Sequence, residues 1–449
     1  MNKHVLYSNG VMSQSSPSEV NENKLYQRVA WRLIPFLLVC YVIAYLDRIN
    51  VGFAKLQMQD ALGFSDAVYG LGAGIFFIGY FLFEVPSNLL LQKIGAKKTV
   101  ARIMVCWGVV GCLMALVSTP AQFYTLRFLL GVFEAGFFPG IVYYLGCWFP
   151  EFRRGQVLGI FMVGIPVAGL LGGPVSGWAM QSLNQMWSYQ GWQWLYVVEA
   201  FPAILLGILA LFILDDDIDK AKWLSPAERC VLNDAIMKQA AGHTAPKQTV
   251  LQLLSSRQLY VMSFAYFAFI CGTYAVSFWM PTMLKAGGAQ TPAQIGWLSA
   301  IPYGVTMVVM ILLCRHSDST RERRWHTAIP AIAGAVALAC LPVASINLVL
   351  VVILLSIAAA GIISTMPLFW SLATDHYAGH PCDAAAIALI NSLGLIGGFA
   401  SPSAMGWLKT LTGSLTSGLY LITAVVLLGA VVVAWPGRRL AAGRLHTQR

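Results

Sequence analysis

Long apolar stretches alternate with short polar ones along almost the whole chain. Twelve apolar runs stand near 30–52, 67–91, 99–117, 121–145, 157–180, 194–214, 257–281, 293–314, 327–345, 348–373, 384–408 and 416–436. Each approaches the ~20 residues with which an α-helix crosses the hydrocarbon of a bilayer. Spanning barrel strands are half that long and alternate apolar with polar residues, a pattern absent here. The runs therefore predict an all-α membrane protein with 12 transmembrane helices. A polar segment, 215–256, separates six runs from six. The expected layout is an N-tail 1–27, a six-helix bundle 28–214, a central linker 215–256, a second six-helix bundle 257–436 and a C-tail 437–449. Within the linker, Asp215, Asp216, Asp217 and Asp219 read as a solvated loop, and Ser225-Pro-Ala-Glu228 reads as the capping box of a short helix. The tail up to Gln27 is polar and has no signal-peptide core, so the first run is expected to act as an uncleaved insertion signal.

Charge placement adds a topology. An even number of spans puts both termini on one side. Of 29 Lys and Arg, 24 fall on that side, three lie opposite (Lys55, Lys285, Lys409), and Arg48 and Arg127 fall inside runs. Cytoplasmic loops are the basic ones, which predicts cytoplasmic termini and a multi-pass protein of the cell inner membrane. The net charge of +10 then reports orientation, and no nucleic acid is implied. Composition agrees: 58% of residues are hydrophobic and 11% charged, against about 25% charged in soluble domains.

The chain offers little for catalysis. Its cysteines, among them Cys40, Cys106, Cys112, Cys271 and Cys340, have neither metal-ligand nor redox spacing. His316, His326, His376 and His380 fall in loops and are expected to be solvated. There is no Ser/His/Asp arrangement and no GxxxxGK[ST] phosphate loop. Neither an enzyme nor a nucleotide-driven pump is expected, and no cofactor.

The chemistry lies in charges that the runs should not contain. Asp47 and Arg48 end the first run, and Arg127 and Glu134 sit in the fourth. Insertion scales assign such groups a cost of about 2.5–3.5 kcal/mol each, and they usually face a bundle interior or wet cavity. The competing reading is a buried structural ion network. Asp47 and Arg48 are neighbours, about 100° apart around a helix, and pair poorly with each other. Tyr41, Tyr45 and Arg48 share a face at i, i+4 and i+7. That face offers two phenols and a guanidinium suited to a carboxylate. The four charges sum to zero. A bound organic anion would leave a net negative charge, and a proton on Asp47 or Glu134 would restore neutrality. The second half has no charge within its runs; its candidates are Tyr274, Tyr303, Trp370, Ser371 and Asn391, with Tyr80 a further one in the second run. Glu84 is expected to pair with a basic loop, and Glu199 to be interfacial. Glycines at 169, 173, 177, 394 and 398 are expected at close helix crossings.

Four motifs carry a resemblance. They are Tyr45-Leu-Asp-Arg-Ile-Asn-Val-Gly-Phe-Ala54, Phe83-Glu-Val-Pro-Ser-Asn88, the stretch from Arg127 to Gly140 (RFLLGVFEAGFFPG), and Pro367-Leu-Phe-Trp370. Through them the chain resembles the anion:cation symporter branch of the major facilitator superfamily, and within it bacterial permeases for sugar acids, tartrate and phthalate. The resemblance runs from Tyr26 to about Trp435 and implies proton-coupled uptake of a small organic anion by alternating access, in a monomer. It implies that Arg48 holds the substrate carboxylate, that Asp47 and Glu134 take up protons, and that Arg127 links them. It also implies that Trp370, Ser371 and Asn391 line the sugar-acid site. The superfamily's cytoplasmic signature after the second run departs here, because Gln92 stands where an Asp is usual, whereas Asp318 is kept in the second copy. A phthalate-like aromatic acid is the alternative substrate, given Phe76, Phe77, Phe81, Phe278 and Trp279. Export of a drug or cation is disfavoured by two buried arginines.

Overall fold

The computed structural model describes residues 21–150, 153, 161–241, 253–344, 347–377 and 383–435. The regular structure among these residues is helical. In chain order the helices are α1 (Glu22–Leu62), α2 (Asp66–Ile94), α3 (Ala96–Leu113), α4 (Pro120–Glu134), α5 (Phe137–Gly146), α6 (Gly164–Ser182), α7 (Gly191–Ile213), α8 (Pro226–Ala241), α9 (Arg257–Ala286), α10 (Pro292–Thr320), α11 (Arg324–Ala344), α12 (Leu348–Ile363), α13 (Thr365–Tyr377), α14 (Asp383–Thr412) and α15 (Thr416–Ala434). Among the described residues, 11 helical segments are long and apolar enough to cross a membrane, with α4–α5 and α12–α13 each counted as one. The fifth expected run, 157–180, lies partly outside the described residues; its described part forms α6.

Local chemistry sets the helix starts. Thr119 and Thr291 each accept a hydrogen bond from a backbone N–H three residues on, at Gln122 (3.3 Å) and Gln294 (3.2 Å). Both begin the same Thr-Pro-Ala-Gln sequence, with proline at the first helical position, where its missing N–H is harmless. One helix-start device thus serves α4 in the first half and α10 in the second. Ser225 and Glu228 form the expected capping box at the start of α8. Glu228 also pairs with Arg28 at 2.6 Å, tying the linker to α1.

Helices of the first half pack chiefly on one another, as do those of the second. The halves meet where α6 packs on α10, α2 on α14 and α1 on α9. Glycine permits the closest approach. A Cβ on Gly173 would sit 2.5 Å from the Gly296 carbonyl oxygen, and one on Gly296 would sit 2.2 Å from that of Gly173. Rings fill other such gaps, with Tyr303 against Gly169, Tyr266 against Gly394 and Phe77 against Gly398.

Three expectations about individual groups need correction. Lys55 is not a loop cation: it is 2% exposed, pairs with Asp66 at 2.7 Å and lies 3.6 Å from the centre of the Trp279 ring. The first-run helix continues to Leu62 and carries Lys55 into the seam. The acidic run of the linker is only partly a solvated loop. Asp216 Oδ1 accepts the Lys97 backbone N–H at 3.0 Å, and Asp215 Oδ2 accepts Trp223 Nε1 at 2.9 Å. A carboxylate from the linker therefore stands at the N-terminus of α3, where Gln92 leaves the signature without one, and the helix dipole favours it there. Finally, His316 is exposed as expected, but His326 is only half-exposed and partnered. Their ring nitrogens lie 2.6 Å apart, and His326 Nδ1 lies 2.7 Å from Glu322. Asp318 keeps its place by pairing with Arg323. His380 lies outside the described residues.

Candidate functional site

α1 is the backbone of the site. Its 41 residues rise on the order of 60 Å, well beyond the ~30 Å hydrocarbon thickness. It presents Tyr41, Tyr45, Asp47, Arg48 and Asn50 in sequence, all buried except for the half-buried Arg48. Arg48 reaches α4. Its Nε donates to Glu134 Oε1 at 2.6 Å, and Nη2 lies 2.5 Å from the same oxygen. Nη1 reaches across to the second half and donates to the Tyr274 hydroxyl at 3.4 Å. The guanidinium carbon lies 5.1 Å from the Tyr80 ring centre and 5.5 Å from that of Phe76, within cation–π range. One cation thus joins α1, α2, α4 and α9.

Glu134 holds its position because α4 ends there. Ala135 leaves the helix, Gly136 adopts φ 83°, and α5 begins at Phe137. The left-handed conformation suits glycine, and space allows little else, since a Cβ at Gly136 would sit 2.6 Å from Ser87 Oγ. The fourth expected span is therefore broken one residue after its carboxylate. The tenth is interrupted more mildly, at Ser364 between α12 and α13, where the backbone stays right-handed. Discontinuous helices in membrane transporters commonly mark binding sites.

Asp47 is 3% exposed and accepts Asn50 Nδ2 at 3.0 Å. It makes no ion pair with its neighbour Arg48, in keeping with their angular separation. Arg127 is fully buried but does not bridge Asp47 and Glu134 by hydrogen bonds. Its Nε and Nη2 donate to the carbonyls of Gly72 (3.2 Å) and Ala73 (3.4 Å), and its guanidinium lies 5.1 Å from the Phe76 ring centre. The α2–α4 crossing is tight, so those carbonyls are the nearest acceptors.

The aromatic candidates divide. Tyr41 packs between Phe138 and Phe161, with ring centres at 5.6 and 4.8 Å. Tyr45 and Tyr303 are buried with hydroxyls that find no partner among the described residues. Tyr274 packs on Phe77 (4.5 Å) and Phe278 (5.2 Å), forming an aromatic wall beside Arg48. Trp370 packs edge-on against Tyr266 at 4.8 Å, and Ser371 donates to the Pro367 carbonyl of its own helix at 3.1 Å. Neither bonds to the Arg48 set. Tyr266 has no place among the sequence-derived candidates. It is 5% exposed, stacks on Phe369 with ring centres 5.2 Å apart and meets Trp370 edge-on.

Two carboxylates stand elsewhere than expected. Glu84 is 8% exposed and bonds to no loop cation; Asn391 of α14 donates to it at 3.2 Å across the halves. Glu199 is 2% exposed, and the Ser176 hydroxyl donates to its Oε1 at 2.5 Å. Position near a run's end misled for both, because depth along a helix does not say which way its face turns. Among the described residues no group of three His, Cys, Asp or Glu could hold a metal ion.

A helical membrane protein with ionised groups at the seam of two helix sets is a transporter architecture. The sequence model of the Major Facilitator Superfamily matches residues 37–402. The chain belongs to the major facilitator superfamily and is a multi-pass membrane transporter. A provisionally named tartrate transporter of Agrobacterium vitis is 43% identical, over 92% of this chain and 91% of that one. The provisionally named metabolite transport protein NicT of Pseudomonas putida is also 43% identical, over 92% and 95%. The quinolone resistance transporter of Acinetobacter baumannii is 39% identical, over 92% and 94%. In fold, the chain is similar to the crystal structure of a D-xylose–proton symporter (TM-score 0.73, 12% identity, covering 90% of this chain and 97% of that one).

Proposed function

We propose that this protein takes up a small organic anion, a sugar acid or a hydroxy-dicarboxylate such as tartrate, together with protons, by alternating access. The observation that carries this reading is Arg48, which pairs with Glu134 on one side and donates to Tyr274 of the other half. While Glu134 is ionised it occupies the guanidinium. A proton on Glu134 neutralises that partner and frees Arg48 to take a substrate carboxylate in its place. Anion and proton then enter with no change in buried charge, which ties their binding together. Asp47 is the second protonation site, and Arg127 acts on it through space. Tyr41, Tyr45, Tyr80 and Tyr274 wall the cavity, and Asn391, Trp370 and Ser371 face the substrate's hydroxyls from the second half. The tartrate-named relatives support the substrate class. The bias of basic residues supports cytoplasmic termini and the cell inner membrane, with the monomer as working unit.

The test is uptake of labelled galactonate, glucarate, tartrate and phthalate into proteoliposomes, with and without an inward proton gradient. One acid should accumulate only with the gradient, and Arg48→Ala should abolish it. Phthalate as that acid would select the aromatic alternative, for which the Phe77–Tyr274–Phe278 wall speaks. A second reading, drug export, is favoured by the quinolone resistance relative. Expulsion of a fluoroquinolone with no acid accumulated would put export in place of uptake.

A further inference from the structure

Glu199 has no part in that cycle, yet it lies in the same buried polar layer as Asp47. α7 brings it there: a Cβ on Gly111 of α3 would touch Ala200 Cβ at 2.6 Å and lie 3.5 Å from Asp47 Oδ1. The groups facing Glu199 are few. α1 supplies Asp47 and Asn50, and α6 supplies Ser176. Its own helix supplies Tyr196, whose ring faces Arg127 of α4 on its other side. Among the described residues no cation pairs with Glu199. Its Oε1 takes the Ser176 hydroxyl, while its Oε2 is buried with no donor. Asn50 turns its amide nitrogen to Asp47, and its Oδ1 is also buried with no donor. Two acceptors buried without donors on side chains that face each other are a costly arrangement. A single proton on Oε2 provides the missing donor. Charge agrees: the ionisable group facing Glu199 is another carboxyl, Asp47, with no cation against Glu199 among the described residues, so a proton on one of the two removes the repulsion.

We propose that Glu199 and Asp47 form a proton-sharing carboxyl pair, with Asn50 between them, and that Glu199 holds the proton in this conformation. The inference rests on the proton-coupled reading above. A proton from water adds to Oε2, whose O–H then points at Asn50 Oδ1. Loss of that proton sets a second negative charge beside Asp47, and two such neighbours titrate as a unit. Proton release from the pair thus awaits a rearrangement that brings in water or moves the helices apart.

Infrared difference spectroscopy of the reconstituted protein, wild type against Glu199→Gln, decides it. The expected result is loss of one protonated-carboxyl C=O band in the variant, a band that fades in the wild type as pH rises. With a transported acid, the variant should accumulate about tenfold less per unit of inward pH gradient, the loss of one coupled proton. Ser176→Ala keeps the carboxyl and removes its donor, so it should shift the same band to higher frequency and covers the case in which Glu199→Gln does not fold. An unchanged carboxyl region in both variants overturns the proposal. So does a lost band with unchanged accumulation, which would make Glu199 a permanently neutral structural acid. Failure of the wild type to accumulate any acid would instead defeat the transport reading, and the infrared result would still report the protonation of Glu199.

Discussion

At the scale of single residues, the site turns on one guanidinium with more claims on it than a point charge could meet. Arg48 directs two N–H groups at Glu134 and a third at Tyr274 while lying over the Tyr80 ring. Lysine has the charge but not the planar fork. Arg48→Lys should therefore fold and reach the membrane but lose about 10- to 100-fold in initial uptake rate, the worth of one or two charged hydrogen bonds. Uptake within twofold of wild type would show that charge alone suffices. Glu134→Gln keeps the shape and removes the titration. It should abolish gradient-driven accumulation yet retain exchange of labelled for unlabelled substrate across the membrane. Full accumulation in that variant would move the proton elsewhere, with the Asp47–Glu199 pair the next place to look.

At the scale of helices, the break after Glu134 carries the site's geometry. Glu134 is presented by the end of α4, and Gly136 makes that end possible. An alanine there must hold φ near 83°, which costs an L-residue about 1–2 kcal/mol, and must crowd Ser87 besides. Gly136→Ala should lower the melting temperature in detergent and depress uptake more than stability alone explains. Ser87→Gly should recover part of both by relieving the crowding; a melting temperature unmoved by Gly136→Ala would mean that the break is not held by this residue. The break also marks the limit of sequence reading. Hydropathy located the spans because burying an apolar run is a property of the run itself. It could not show the interruption inside 121–145, since Ala135 and Gly136 are as apolar as their neighbours, although Gly136 and Pro139 were the available signal. Arg48 and Glu134 were legible as candidates because charge in an apolar run is conspicuous. Their partnership was not, because it joins different helices 86 residues apart. Glu199 and Lys55 were misjudged for the same reason: nearness to a run's end gives depth and says nothing of which face a neighbouring helix covers.

At the scale of the whole molecule, the halves are fastened beyond the site on the side of the α1–α2 turn. Asp66, in the first turn of α2, holds Lys55 of α1 at 2.7 Å and Lys409 of α14 at 3.1 Å on one carboxylate oxygen. Next to it, Thr410 Oγ1 accepts the Ala67 backbone N–H at 2.9 Å, and Tyr69 donates to the Phe278 carbonyl at 2.9 Å. Each of these last two bonds, and the Asp66–Lys409 pair, crosses from first half to second. Under the alternating access proposed above this side opens, and all three would then break in every cycle. Asp66 is the shared partner of two ammonium groups, one of them almost fully buried, and removing one partner of a buried pair commonly costs about 3–5 kcal/mol. Asp66→Asn should therefore destabilise the closed arrangement far more than the open one, where water can solvate both lysines. Spin labels on Ala61 and Ser414, both exposed and on opposite halves, provide the measurement by double electron–electron resonance. The wild type should give mainly the shorter distance. Asp66→Asn should populate a longer one at least tenfold more, and Lys409→Gln, which removes only the crossing cation, should shift it less. If the distance distribution is the same in all three proteins, the lysine–aspartate cluster contributes packing only, and the closure is held by the glycine crossings of α2 with α14 and α6 with α10.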